Sequence, residues 1–136
     1  ACMARRRHLS RIAVMQVLFE RECRAKLTPD DALERDITEL GDVDGGFAKA
    51  LLEGVLKHEE QLKEMIQEHA PGWTLDRMDP ISRCILMVGA FELIHGNDAP
   101  PAVVMNEAID IAKEYGSDEG GKFVNGVLNA IAKQKQ

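Results

Sequence analysis

The chain has 136 residues, 45% of them hydrophobic and 29% charged, with a formal net charge of −6. That length suits one ordinary domain and that composition is globular, which excludes a disordered chain or a scaffold dependent on disulfides. The charge is uneven: residues 1–26 carry seven basic and two acidic side chains (+5), and the remainder carries ten basic and 21 acidic ones (−11). No run approaches the roughly 18 uninterrupted apolar residues of a membrane helix, and the longest candidate, Cys84 to Ile94, carries Glu92. The basic start runs straight into a mixed amphipathic segment, so no signal peptide is expected. Three cysteines (Cys2, Cys23, Cys84) without a C-x-x-C pair fit a reducing cytoplasm.

Apolar residues recur at three- and four-residue spacing throughout, and no segment alternates like a strand. The first helix is expected from about His8–Ser10 to Arg24, with Ile12, Val14, Met15, Val17, Leu18 and Phe19 on a broad apolar face. Thr28-Pro29-Asp30-Asp31 reads as an N-cap, a first-turn proline and two dipole-favoured acids. Leu33, Ile37 and Leu40 stripe that second helix, and Gly41 closes it. Asp44 is expected to cap one long third helix carrying Phe47, Leu51, Val55, Leu62, Met65 and Ile66, which Pro71-Gly72 ends.

A connector around Trp73 and Leu75 leads to Asp79-Pro80, a second cap-plus-proline start. The helix that follows is apolar on nearly every side, from Ile81 to Ile94, and so is expected to be central and buried. Gly96-Asn97-Asp98 is expected to stop it. Pro100-Pro101 opens a helix to Tyr115 with Gly116 after it, and Ser117 or Asp118 caps a last helix with Val124, Val127, Leu128 and Ile131 inward. The expected fold is all-α, with six to seven helices.

Candidate chemistry is sparse. Glu92-Leu93-Ile94-His95 has the Glu-x-x-His spacing of di-iron bundles, but those need two such pairs. Arg5, Val55 and Ile66 stand three residues before the other histidines, so no metal site is expected. Phosphate-loop, dinucleotide and nucleophile-elbow patterns are absent, which makes an enzyme a poor reading. A helix-turn-helix around Gly116 would need a basic second helix, whereas residues from Asp118 onward carry three lysines against two acids. The cluster Arg5-Arg6-Arg7 with Arg11 suits a polyanion. Lys122 beside Phe123 suits a single strand, one holding a phosphate and the other stacking a base, unless Phe123 belongs to the core. Asn125 and Gly126 fit a close helix–helix contact.

Taken together, several blocks resemble the NusB family of bacterial transcription antitermination factors. They are Arg5-Arg6-Arg7 with Arg11 through Phe19, Trp73-Thr74-Leu75-Asp76-Arg77, and Asp98-Ala99-Pro100 through Val103 with Met105-Asn106-Glu107-Ala108-Ile109 and Ala112-Lys113. The most specific is Lys122-Phe123-Val124-Asn125-Gly126-Val127-Leu128. One departure is Met87 after Leu86, where the family commonly carries an arginine.

The resemblance implies a single NusB-like RNA-binding domain over residues 1–136, built as two packed, perpendicular helical bundles. These would span about residues 8–69 and 73–134, with a basic arm over 1–8. It implies no catalytic activity, no cofactor and no membrane. Expected partners are the boxA element of nascent ribosomal RNA, the small-subunit ribosomal protein NusE, and the antitermination assembly on RNA polymerase. RNA contacts would fall on Arg5, Arg6, Arg7, Arg11, Lys122 and Phe123, with Glu119 tempering affinity. Phe19, Ser82 and Ile85 would face NusE. Two alternatives stay open: an RNA-binding domain from an rRNA cytosine methyltransferase, and a structural homodimer. An acidic chain neutralises few phosphates, so it should bind RNA weakly alone and need a basic co-binder.

Overall fold

The computed structural model describes residues 2–96 and 99–135, and all regular structure within them is helical. Seven α-helices follow in order: α1 (Met3–Cys23), α2 (Pro29–Leu40), α3 (Gly45–Lys57), α4 (Glu59–Glu68), α5 (Pro80–Ile94), α6 (Pro101–Tyr115) and α7 (Asp118–Lys135). A single 3-10 turn, Leu75–Arg77, precedes α5. The chain divides into two compact units, Ala1–Gly54 and Val55–Gln136. That division falls inside α3, earlier than the boundary near residues 69–73 expected from the sequence, because α4 packs on α5 and α7. Asn97 and Asp98, expected to stop α5, lie outside the described residues.

In the first unit α1 packs against α2. It begins five residues earlier than its apolar face implies, so the basic arm is helical rather than a loose terminus. The connector between α2 and α3 is bound to its first turns. The Ser10 hydroxyl donates its one proton to the Arg6 carbonyl at 2.8 Å, with the Asp44 carbonyl the alternative acceptor at 3.1 Å, and its oxygen accepts from the Asp44 amide at 3.1 Å. Polar groups shielded in this way must be paired, and pairing them fixes the first turns of α1. Asp44 caps α3 as expected, accepting the Phe47 amide at 3.1 Å. Thr28 opens α2 without a side-chain cap, so the proline and the acidic first turn act alone there. Gly41 ends α2 at φ 90°, a conformation that other residues enter only with strain.

Asp36 is the anomaly of this unit. It is buried on α2, with Oδ1 3.6 Å from Arg35 Nε and Oδ2 lacking a hydrogen-bond partner. Burial raises its carboxyl above the ordinary aspartate value; Arg35 opposes that shift, and Glu20 and Glu39 add to it.

The second unit is organised around α5, which touches α4, α6 and α7. The Asp79 carboxylate caps it, accepting the Ser82 amide at 3.3 Å and the Ser82 hydroxyl at 3.2 Å. Where α5 meets α7, a methyl on Gly89 would stand 2.8 Å from Leu128 Cδ1, and Leu128 is fully buried. Gly89 gives way to a leucine knob, and a Cβ there would force the Leu128 methyls to shift. The α6–α7 pair forms a hairpin through Gly116-Ser117, with the Ser117 hydroxyl accepting the Gly120 amide at 3.0 Å. The single long helix expected over residues 45–70 is instead two, α3 and α4, broken at His58. The His58 ring stacks on His95 at 4.0 Å, and Gln61 Oε1 lies 2.9 Å from His95 Nε2.

Two expectations follow for stability. Gly89→Ala overpacks the α5–α7 contact at a cost of about 1–3 kcal/mol, partly offset by about 1 kcal/mol of helix propensity. In a Leu128→Ala background the added methyl fills space, so a double-mutant cycle in urea should give a favourable coupling of about 0.5–3 kcal/mol. For Asp36, the folded state holds the proton more tightly than the unfolded chain. Its contribution to stability therefore falls as pH rises from the ordinary aspartate range through the raised value. Asp36→Asn should have the higher urea midpoint at about pH 7, with the difference shrinking towards about pH 3–4.

Candidate nucleic-acid interface

The residues expected to meet RNA lie partly in each unit. In the first, the opening turns of α1 carry four arginines in different surroundings. Arg5 is exposed. Arg6 Nε lies 3.2 Å from Asp42 Oδ1, with Nη2 donating to the Val43 carbonyl at 3.3 Å. Arg7 Nε lies 3.8 Å from Asp44 Oδ2, and its guanidinium carbon sits 4.6 Å from the Phe47 ring centroid. Arg11 corrects the expectation of an open RNA contact. It is only 4% exposed, with its guanidinium over Phe47 at 5.1 Å. Cation–π stacking of this kind is geometrically specific and strengthens away from water, so Arg11 supports this surface from within. Phe19, expected to face a partner, is partly exposed near the end of α1.

The second unit holds a cavity of about 650 Å³ whose lining includes Trp73, Asp79, Ser82, Ser117, Lys122 and Phe123. Its aromatic wall is an edge-to-face pair, Trp73 and Phe123, with ring centroids 5.6 Å apart. Phe123 is therefore neither wholly core nor a free platform; it is half-buried with one aromatic neighbour. Trp73 is 49% exposed and is held by its connector. Gln67 Nε2 donates to the Trp73 carbonyl while Oε1 accepts the Leu75 amide at 3.0 Å. Arg83 Nη1 then clamps the carbonyls of Leu75 at 2.5 Å and Met78 at 3.2 Å. A half-exposed indole on a fixed backbone offers stacking area at little entropic cost.

Lys122 and Glu119 form an exposed pair at 3.8 Å across the first two turns of α7, too weak and too solvated to withdraw the lysine from a ligand. Ser82 and Ile85 are the α5 residues expected to face a partner. Both are buried; Ile85 is 3% exposed in the core, and Ser82 reaches the exterior only as a wall of this cavity, its hydroxyl engaged by Asp79. An expected RNA residue and an expected partner residue thus line one cavity.

Trp73 and Phe47 join the candidate site without a role assigned from the sequence; Trp73 enters there only as part of the Trp73–Arg77 block. For Trp73 a signal existed: it is the sole tryptophan, in a polar connector where burial is not forced. Phe47 shows only as a core position of a helix. Among the described residues no group of three or more His, Cys, Asp and Glu side chains is placed to hold a metal. No helix among them is long and apolar enough to cross a membrane.

Comparison with known proteins accounts for this architecture. A model of the NusB family matches residues 8–133. The transcription antitermination protein NusB of Bacillus subtilis is 39% identical over 126 residues, spanning 93% of this chain and 94% of that protein. That of Kineococcus radiotolerans is 37% identical, spanning 98% and 97%. A solved T. maritima NusB superposes with a TM-score of 0.85 at 32% identity, covering 93% of this chain and 90% of its own. A chain from the crystal structure of antitermination factors NusB and NusE in complex with dsRNA gives 0.85 at 30% identity, covering 98% and 99%. Sequence and helical architecture agree along almost the whole length, and the chain belongs to the NusB family.

Proposed function

We propose that this protein is a non-catalytic transcription antitermination factor. It binds the boxA element of nascent ribosomal RNA together with NusE and joins the antitermination assembly on RNA polymerase in the cytoplasm. The observation that carries the reading is the cavity with an aromatic wall and a cationic rim: Trp73 and Phe123 at 5.6 Å, with Lys122 beside them. An unstacked base needs an aromatic face and its phosphate needs a cation, and this cavity supplies both. Arg5, Arg6 and Arg7 add phosphate contacts on the first unit, and Glu119 tempers the attraction at Lys122. Phe19 and the Ser82 wall of the cavity are the proposed contacts for NusE, with Ile85 supporting α5 beneath.

The net charge explains the need for a partner. Non-specific affinity for RNA grows with the number of phosphates neutralised, and a chain at −6 repels the strand everywhere except at its local cations. A basic ribosomal protein bound alongside reverses that balance. Family membership with an NusB–NusE–dsRNA structure among the solved neighbours supports the same partnership.

Fluorescence anisotropy of a labelled boxA-like RNA, with a scrambled RNA in parallel, tests the proposal. Weak binding alone should tighten at least about tenfold with equimolar NusE, about 1.4 kcal/mol of coupling, and should discriminate against the scramble. Binding indifferent to both NusE and sequence would overturn it. With Arg5, Arg6, Arg7 and Lys122 on phosphates, the slope of log K against log salt for the protein alone should be roughly −2.8, against roughly −3.5 were Arg11 a fifth contact. Phe123→Ala should cost about 1–3 kcal/mol of RNA affinity in a variant that retains its helical circular dichroism, and unchanged affinity would return Phe123 to a purely structural role.

A further inference from the structure

At the start of α1 the arginine charges are balanced but their hydrogen bonds are not. Asp42 lies 3.2 Å from Arg6 Nε and Asp44 lies 3.8 Å from Arg7 Nε. Yet both Nε atoms are shielded from water without a well-directed hydrogen bond. A shielded donor that lacks an acceptor carries its desolvation penalty uncompensated. Carboxylates here supply charge without completing the geometry. A phosphate, with several acceptor oxygens, matches the guanidinium fork through paired bonds. Phe47 also holds the Arg7 guanidinium, with its carbon 4.6 Å from the ring centroid, while the Arg7 side chain stays 26% exposed, so the group is positioned before a phosphate arrives.

We infer that Asp42 and Asp44 are internal occupants of a two-phosphate site on α1, displaced by two RNA phosphates on binding, and so set the affinity for RNA. This rests on the RNA-binding reading above. The two occupants differ in strength. Arg6 and Asp42 side chains are 41% and 53% exposed, so solvent screens that pair and it opens readily. Arg7 and Asp44 are 26% and 27% exposed, so that pair is screened less and holds the second position more firmly. The device has two consequences. It keeps the basic turns helical and docked in the absence of RNA, and it raises the threshold for polyanions that present only one phosphate.

The test uses the full chain with Asp42→Asn, Asp44→Asn and the double variant; asparagine at 44 retains the oxygen that caps α3. Glu34→Gln on the exposed face of α2 is the control for the single variants, since it makes the same one-unit change in net charge without touching the acids that face Arg6 and Arg7. Anisotropy with boxA-like RNA should tighten roughly two- to fivefold for Asp42→Asn and about tenfold for the double variant, with Glu34→Gln close to unchanged. Arginine Nε–H NMR with inorganic tripolyphosphate reads the same exchange without RNA. The Arg6 and Arg7 signals should respond at lower tripolyphosphate in the double variant than in the parent chain.

Equal responses in parent and double variant, or an equal gain from Glu34→Gln, would overturn the inference. An RNA that fails to bind the parent and the double variant, with the tripolyphosphate response intact, would overturn the RNA-binding reading instead. In that case the phosphate site would stand by itself.

Discussion

The second unit depends on one constraint: α5 is apolar around nearly its whole circumference and must be enclosed. A helix of that kind has no solvent face, so α4, α6 and α7 are recruited to cover it. Enclosure then dictates detail. Gly89 admits the Leu128 side chain, whose methyls occupy the space a Cβ at position 89 would need. The exposed amides at the start of α5 must be satisfied locally, which Asp79 does, and the same carboxylate holds Ser82 in the cavity wall. Once α7 is seated on α5, its second turn carries Lys122 and Phe123 to the cavity mouth. Core packing thus places Lys122 and Phe123 of the candidate site, while Trp73 is placed by the connector that Gln67 and Arg83 hold.

Electrostatics gives the first unit a different character. Its cations are concentrated in the opening turns of α1, and the acids that face them come from the short connector between α2 and α3. A run of arginines would normally fray at a chain terminus, through self-repulsion and for want of buried contacts. Here Ser10 joins α1 to the connector, Phe47 stacks two guanidinium groups, and two carboxylates offset the charge. The arm is therefore ordered by the groups that restrain its charge. A surface assembled this way trades some affinity for order and selectivity, consistent with a chain whose overall charge opposes its proposed ligand.

Much of this was legible from residue types and spacing. The all-helical class, the buried α5, the caps at Asp44 and Asp79, and the stops at Gly41 and Gly116 rest on local rules of periodicity and hydrogen bonding. Those rules act within a few residues and need no knowledge of the fold. The Lys122–Phe123 pair was visible for the same reason, as adjacent residues early in a helix. By contrast, the helical state of residues 3–8 depends on the connector 34 residues away that Ser10 bonds. The break at His58 has no glycine or proline to mark it, and its stacking partner is His95. Arg11 reads as a surface cation until its aromatic neighbour is known, whereas Ile85 is buried as its all-apolar helix implies and was placed towards a partner only by the family resemblance.

What residue order determines in this protein is therefore the set of helices, their ends and the face each must bury, because propensity, capping and hydrophobic period operate along the chain. Which arginine stays in solvent, where Trp73 meets Phe123, and which carboxylates stand opposite Arg6 and Arg7 were decided only by the tertiary structure. Those are pairings across distant segments. They form only after burial has fixed the helices, and burial is also what makes each of them strong or weak.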